Sequence, residues 1–323
     1  MGDALNKIGA MISPSARQFV IVFCSMLALT AMTPDVFSGD WPEDHTVLKN
    51  STSPDGRLGV LVVSREAGLT DDRAGDNSTY LANLQAHQTI GKIEGVDYFE
   101  GQNHAGLAAY WAADSKACVV QYDARYGWES VFVLILKNDG FEQIDLGKHI
   151  EAIQKRIFDG YMSGYYRFTP DGKLKVRALS YTNPKQFPEE PTYNGLFQGT
   201  FDLKSEKWLS GDARKVKSDD WDNLERAYDD DFAKHMIVVA EGKDAPEDFT
   251  GSVFRTEDEK FDALDKQLNA VYQAVRLIVA PNRFAKVKQE QVTWLKTRDA
   301  AKAIEEKSQL TENRIKALQD LLW

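Results

Sequence analysis

The pattern of apolar and polar positions changes near residue 212. Before this point, apolar residues alternate with polar ones or form short continuous runs rich in β-branched and aromatic residues, a pattern typical of strands. Five segments are predicted as strands: residues 58–63, 117–122, 130–136, 173–181 and 196–203. We therefore predict an antiparallel β-rich domain over residues 39–212.

A turn motif recurs within this region. Ser-Pro-Asp-Gly-Arg-Leu at residues 53–58 and Thr-Pro-Asp-Gly-Lys-Leu at residues 169–174 are near copies, and Trp-Ala-Ala-Asp-Ser-Lys at residues 111–116 is a degenerate third copy. An Asp-Gly pair supplies the positive φ that a tight hairpin needs. The motif resembles the inter-strand turn of β-propeller blades, but the region is too short to close a ring of four or more blades. We expect a sheet domain with propeller-like hairpins and one substantial helix at residues 146–158.

Residues 213–255 are predicted to form an acidic helix followed by a linker. Ser218 is the candidate N-cap, and apolar residues recur every three or four positions from Trp221 to Val239. A stretch rich in Gly, Asp and Pro at residues 241–251 then indicates a loop. The exposed face of the helix is acidic, with only Arg226 and Lys234 in opposition: Asp219, Asp220, Asp222, Glu225, Asp229, Asp230 and Asp231.

Residues 256–323 show the periodicity of three amphipathic helices. The first spans residues 257–279 and ends before Pro281, the second spans residues 282–307, and the third begins at Thr311 as its N-cap. Short connections between amphipathic helices favour an antiparallel three-helix bundle. The predicted fold class is therefore α+β, with the β-rich domain first and the bundle after it.

Three ordered motifs in the bundle resemble the LprI-like lysozyme-inhibitor domain family. They are Asp-Lys-Gln-Leu-Asn-Ala-Val-Tyr at residues 265–272, Gln-Val-Thr-Trp-Leu-Lys-Thr-Arg-Asp-Ala at residues 291–300 and Thr-Glu-Asn-Arg at residues 311–314. The resemblance covers about residues 258–323 and implies an extracytoplasmic bacterial protein. The motif residues are candidate binding residues: Asn269, Tyr272, Gln291, Trp294, Arg298 and Asp299.

The chain departs from this family at one feature. Family members usually carry a cysteine shortly after the Arg-Asp pair, with a partner that staples the helices, whereas residues 301–303 here are Ala-Lys-Ala. We therefore expect the bundle to depend on the packing of Tyr272, Trp294 and Leu295. A structural role is also open for each motif residue, and we favour it: Trp294 as a core anchor, Arg298 bonded to a carboxylate or helix end within the bundle, and Asn269 bonded to neighbouring backbone.

The N-terminal region indicates export. Residues 19–32 contain no charge and have the length of a secretory hydrophobic region, which is shorter than the roughly 18–20 residues that span a bilayer. We predict a signal peptide at residues 1–38 and a periplasmic or secreted mature protein. A buried core helix and an uncleaved anchor, which would be the only membrane contact, remain alternatives. Phe23 before Cys24 argues against lipidation, and Cys118 is then the one remaining cysteine, which excludes an internal disulfide.

The charge distribution favours a cationic partner. The formal net charge of −10 argues against a long contact with nucleic acid or an anionic bilayer. Residues 256–323 hold 12 Lys/Arg and 11 Asp/Glu, so the acidity belongs to residues 39–255, whose net charge is −11. No sequence motif indicates a metal, a cofactor or a catalytic nucleophile, and we expect none.

These observations lead to one hypothesis and two alternatives. The first is an exported, non-catalytic binding protein of the cell envelope that inhibits or senses a lysozyme or another cell-wall hydrolase. The second is an envelope enzyme whose site lies in the β-rich domain among His87, His104 and His149. The third is a purely structural envelope module without a saturable partner.

Overall fold

The computed structural model describes residues 39–69, 77–125, 127–138, 140–154, 162–181, 194–228, 237–238, 253–254 and 256–323. The predicted signal peptide and the second half of the predicted acidic helix, with Asp229, Asp230 and Asp231, lie outside these residues. No helix of the described ranges has both the length and the apolar composition needed to cross a membrane.

Three antiparallel sheets form the β-rich part of the chain. The strand orders are β1-β5-β4-β3-β2 in the first sheet, β6-β7-β8-β9 in the second and β10-β11-β12-β13 in the third, so each contains a four-stranded meander. A short parallel pair, β14 and β15, follows. The strands are β1 Gly39–Asp40, β2 His45–Val47, β3 Leu58–Val63, β4 Ser78–Asn83, β5 Gln88–Asp97, β6 Gly106–Trp111, β7 Ala117–Ala124, β8 Gly127–Lys137, β9 Gly140–Asp145, β10 Met162–Phe168, β11 Lys173–Tyr181, β12 Asn194–Asp202, β13 Lys207–Val216, β14 Ile237–Val238 and β15 Val253–Phe254.

The recurrent turn motif lies between the first two strands of each meander. Its central residue has left-handed backbone conformation in all three copies, with φ of +73° at Gly56, +58° at Ser115 and +75° at Gly172. The N–H of this residue donates to the carbonyl three positions earlier, at 2.9, 3.0 and 3.1 Å respectively. The predicted hairpin turns are therefore confirmed, and Ser115 adopts in the degenerate copy the conformation that glycine adopts in the other two.

The three sheets stack in chain order. Val62 of the first sheet shares a hydrophobic core with Val120 and Leu134 of the second. On its opposite face the second sheet presents Val133 to Val176 of the third. The central strands of the second and third sheets are consequently buried on both faces, which accounts for their continuous apolar sequences.

Helices cover the outer face of the third sheet. Leu179 and Leu196 of that sheet belong to the same hydrophobic core as Leu224, Leu268 and many other helical residues. The described residues between 39 and 323 belong to one compact unit. The predicted domain boundaries after residues 212 and 255 stay predictions. The helices are α1 Arg65–Gly68, α2 Leu146–Gln154, α3 Ser218–Tyr228, α4 Glu257–Ile278, α5 Pro281–Ala300 and α6 Ile304–Gln319, followed by a 3-10 turn at Asp320–Leu322.

The C-terminal 3-10 turn ties this helical layer to the third sheet. The buried Arg177 side chain, on β11, donates from Nε and Nη2 to the Leu322 carbonyl oxygen at 3.2 and 3.0 Å. Its guanidinium also lies over the Trp323 ring, 5.4 Å from the centroid. Burial in this region raises the pKa of Tyr228 to about 12, although the nearby Arg177 charge acts in the opposite direction.

The α+β fold class is confirmed, and two helix boundaries are wrong. The second bundle helix ends at Ala300, and α6 begins at Ile304, so Thr311 lies inside α6 instead of capping it. The Thr311 hydroxyl donates to the Lys307 carbonyl at 2.8 Å. The buried face of α6 consists of Ile315, Thr311 and Ser308 in its first three turns. Because two of these residues are polar, the sequence pattern did not indicate that the helix begins before Thr311.

Candidate functional site

Three contacts along one face of α5 hold the bundle together. Phe284, Gln291 and Arg298 are spaced seven residues apart, so they lie on the same side of the helix. Each of these residues contacts a neighbouring helix.

The contact nearest the end of α5 centres on Arg298. Its side chain is only 14% exposed, and Nη1 donates to Oδ1 of Asp265 on α4 at 2.7 Å. The guanidinium carbon lies 5.1 Å from the Trp294 ring centroid and 5.6 Å from that of Phe261. A charge-assisted hydrogen bond and the cation–π contact with Phe261 therefore join α5 to the first half of α4, whereas the contact with Trp294 lies within α5.

The middle contact joins α5 to α6. Nε of Arg314 donates to Oε1 of Gln291 at 2.8 Å. Nη1 of Arg314 lies 3.9 Å from a carboxylate oxygen of Glu290. Burial lowers the pKa of Arg314, and the adjacent Glu290 carboxylate opposes this effect.

The third contact is aromatic. Tyr272 on α4 and Phe284 on α5 have ring centroids 5.3 Å apart. Both rings pack against the hydrophobic core of the helical layer, as does Trp294. Together with the two polar contacts, this packing joins α5 to both α4 and α6.

The remaining two candidates, Asn269 and Asp299, are exposed. The Asn269 amide is 3.5 Å from Oδ2 of Asp265, at the limit of a hydrogen bond, and its partner is a side chain rather than the expected backbone. Asp299 accepts from Nε of Arg298 at 3.1 Å. The structure thus places four of the six candidate residues in contacts between helices and leaves two at the surface.

Sequence reasoning missed the partners of these residues. Asp265 and Arg314 stand inside the quoted motifs, so their positions were visible, but their pairing depends on how the helices pack. The sequence pattern placed Phe261 on the apolar face of its helix but did not indicate its contact with Arg298.

A cavity of about 590 Å³ opens between α3 and α4. Gln267, which is fully buried, donates from Nε2 to the Arg226 carbonyl at 2.7 Å. Its Oε1 atom is buried without a hydrogen-bond partner, so an acceptor is left unused beside the cavity. The lining residues are Arg226, Phe254, Glu259, Asp262, Ala263, Lys266 and Gln267.

The described part of the acidic helix, α3, contributes Arg226 to the lining of this cavity and carries acidic side chains on its exposed surface. Asp219 and Asp222 are exposed, and Glu225 is partly buried. Burial raises the pKa of Glu225, and the Asp222 charge, one helical turn away, raises it further. Oδ1 of Asp220 lies 3.7 Å from Nη2 of Arg276 on α4, so this carboxylate forms an ion pair with the neighbouring helix.

The three histidines proposed for an enzyme site occupy different surroundings. The His87 ring stacks on Trp41 at a centroid distance of 4.2 Å, and the His149 ring meets the edge of Phe201 at 5.0 Å. His104 has left-handed backbone conformation in a loop, with φ of +60°. Among the described residues, no group of three His, Cys, Asp or Glu side chains could hold a metal ion. Cys118 is a free thiol buried in the sheet core, and burial raises its pKa.

Comparison with known families gives one match. The family model described as Lysozyme inhibitor LprI matches residues 243–318, which contain α4, α5 and most of α6. The resemblance read from the three sequence motifs is therefore confirmed over this part of the chain. No curated protein matches the chain.

Proposed function

We propose that this protein is an exported, non-catalytic binding protein of the bacterial cell envelope that inhibits a lysozyme or a related cationic cell-wall hydrolase. The observation that carries the proposal is the match of residues 243–318 to the lysozyme-inhibitor family. The matched helices fold into a layer whose motif residues bind one another, so the contact surface for a partner must be sought around them.

The acidic face of α3 is the part of this surface that best suits a cationic partner. Asp219, Asp222 and Glu225 lie on the helix that packs beside α4 and whose Arg226 lines the cavity. Burial and then repulsion by Asp222 oppose ionisation of Glu225, and an approaching positive charge would favour it. Such a face accelerates the encounter with a cationic protein and makes it sensitive to salt.

The cavity between α3 and α4 supplies a complementary contact. The unpartnered Oε1 of Gln267 can accept a hydrogen bond from a side chain of the partner, and the Asp262 carboxylate lines the same space. A lysine or arginine of the partner supplies both the N–H donor for Gln267 and the positive charge for Asp262.

Export rests on the sequence of residues 1–38 and on the family. A single buried thiol and a bundle held by Arg298, Gln291 and Phe284 are compatible with folding outside the cytoplasm without any disulfide. The non-catalytic assignment rests on the description of the matched family as inhibitors.

The experiment measures association of hen lysozyme with the immobilised purified protein at low and at raised salt. We expect a saturable complex whose association rate falls as the salt concentration rises. The triple variant Asp219→Asn, Asp222→Asn, Glu225→Gln should associate about tenfold more slowly.

A matched control removes three exposed carboxylates from the first sheet and from helix α1, which lies between its strands β3 and β4: Glu66→Gln, Glu94→Gln, Asp97→Asn. It should change the association rate less than about twofold, because these charges lie on a different layer. Absence of a complex would refute the proposal, and equal effects of the two triple variants would refute the role of α3.

A further inference from the structure

A second cavity, of about 650 Å³, lies between the second and third sheets at the end where their recurrent turns meet. Residues 112–117 from one turn and residues 168–172 around the other form opposite walls, and the β8–β9 and β12–β13 hairpins complete the enclosure. The volume falls within the range of about 300–1,000 Å³ that is usual for small-molecule sites. This cavity is separate from the one beside α4, and the inference below does not depend on the proposed function.

The interior walls of the cavity are apolar. Ala112 and Ala117 are buried, whereas Ile135, Phe168 and Leu203 are partly exposed and line the cavity. Apolar walls with a few polar groups placed around them are the usual composition of a ligand pocket.

Two carboxyl groups meet at one side of the cavity. Nζ of Lys137 lies 2.7 Å from Oε2 of Glu142. The hydrogen bond from Lys137 holds the pKa of Glu142 below its ordinary value. Glu206 also lines the cavity, so Lys137 is the cation for two carboxylates. An ammonium group of a ligand would supply a second cation.

Three other charged residues line the cavity: Asp114, whose carboxylate accepts from the backbone N–H of Lys116 at 3.1 Å, and two lysines. In the described residues, neither Lys116 nor Lys204 forms an ion pair with an acidic side chain, and both are exposed at the cavity. Their ammonium groups are suited to a carboxylate, which binds cations and N–H donors readily. The cavity therefore offers acceptors for an amine, donors for a carboxylate and an apolar surface among them.

We propose that this cavity binds a short peptide with free termini. The ammonium of the peptide lies at Glu142 and Glu206, its carboxylate lies at Lys116 and Lys204, and an apolar side chain packs on Phe168 and Leu203. Both termini are required, because each satisfies one pair of charges.

The test is calorimetric titration of the purified protein with the tripeptide alanyl-leucyl-alanine. We expect saturable binding that weakens about tenfold when either the amino terminus is acetylated or the carboxyl terminus is amidated, since each change removes one charge-assisted contact. The variants Glu206→Gln and Lys204→Met should each weaken binding of the free peptide by a similar factor.

Two control variants keep the result interpretable. Lys207→Met changes an exposed lysine on the same hairpin, outside the cavity lining, and Glu151→Gln changes an exposed carboxylate on α2; both should bind the peptide as the parent does. Circular dichroism confirms folding of each variant. No binding at millimolar peptide, or binding that is equally strong after both termini are blocked, would overturn the proposal. Equal effects of Lys204→Met and Lys207→Met would also overturn it.

Discussion

Replacement of Arg298 by alanine tests whether the contacts of this residue hold the bundle together. The Arg298 side chain is 14% exposed, and its hydrogen bond to Asp265 measures 2.7 Å. Because Asp265 is 42% exposed, we assign this bond about 1 kcal/mol. The contacts with the Trp294 and Phe261 rings add about 0.5–1 kcal/mol each. Arg298→Ala should therefore lower the free energy of unfolding by about 2–3 kcal/mol.

The assay is equilibrium unfolding in urea, followed by tryptophan fluorescence and far-ultraviolet circular dichroism. Arg298→Lys should fall between the parent and Arg298→Ala, because lysine keeps the charge and loses the planar stacking surface. Lys296→Ala, at an exposed position on the same helix, is the control and should change stability by no more than about 0.5 kcal/mol.

A double-mutant cycle separates the pair from the rest of the site. Arg298→Ala and Asp265→Ala should show a coupling free energy of about 1 kcal/mol. If Arg298→Ala costs no more than Lys296→Ala, or if the coupling is zero, then these contacts do not hold α5 to α4 and the reasoning is refuted.

Three further predictions concern the rest of the molecule. Burial raises the pKa of Asp123 above its ordinary value of 3.8, although the hydrogen bond from Gln121 acts in the opposite direction. The folded protein therefore loses stability as the pH rises from about 3.8 through the raised pKa, where Asp123 ionises. Asp123→Asn should raise Tm at pH 7, and this gain should vanish below about pH 3.8. Gly172→Ala should lower the unfolding free energy by about 1–2 kcal/mol in urea titration, because the added Cβ meets no atom within 4 Å and only the left-handed φ of +75° opposes it. Leu318→Ala, at a fully buried position of α6, should cost about 2–5 kcal/mol, and a loss below 1 kcal/mol would contradict the packing of α6 in the core.

Most of the strands that could be predicted from sequence are inner strands of the second and third sheets. The predicted segments correspond to β3, β7, β8, β11 and β12, and in the second and third sheets these are the inner pairs. Inner strands have both faces buried and therefore read as apolar runs. The edge strands β6, β9, β10 and β13 were missed because solvent on one side or at one edge permits polar residues and glycines, as in Lys207–Val216, where most side chains are exposed.

Part of the candidate site could be predicted from the sequence and part could not. The motifs around Trp294 and Arg298 were recognisable because their residue types recur in a fixed order along the helices. The two cavities were not, since each arises where segments distant in sequence meet, and their charged residues carry no local pattern. Glu206 is an example: only the packing of two hairpins brings its side chain to Glu142.

The most direct test of the proposed function is the rate at which lysozyme clears a suspension of bacterial cell walls in the presence of increasing amounts of the purified protein. The account predicts that the lytic rate falls with added protein and reaches its minimum near equimolar concentrations, and that raised salt weakens the inhibition. An undiminished lytic rate in the presence of excess protein at low salt would contradict it.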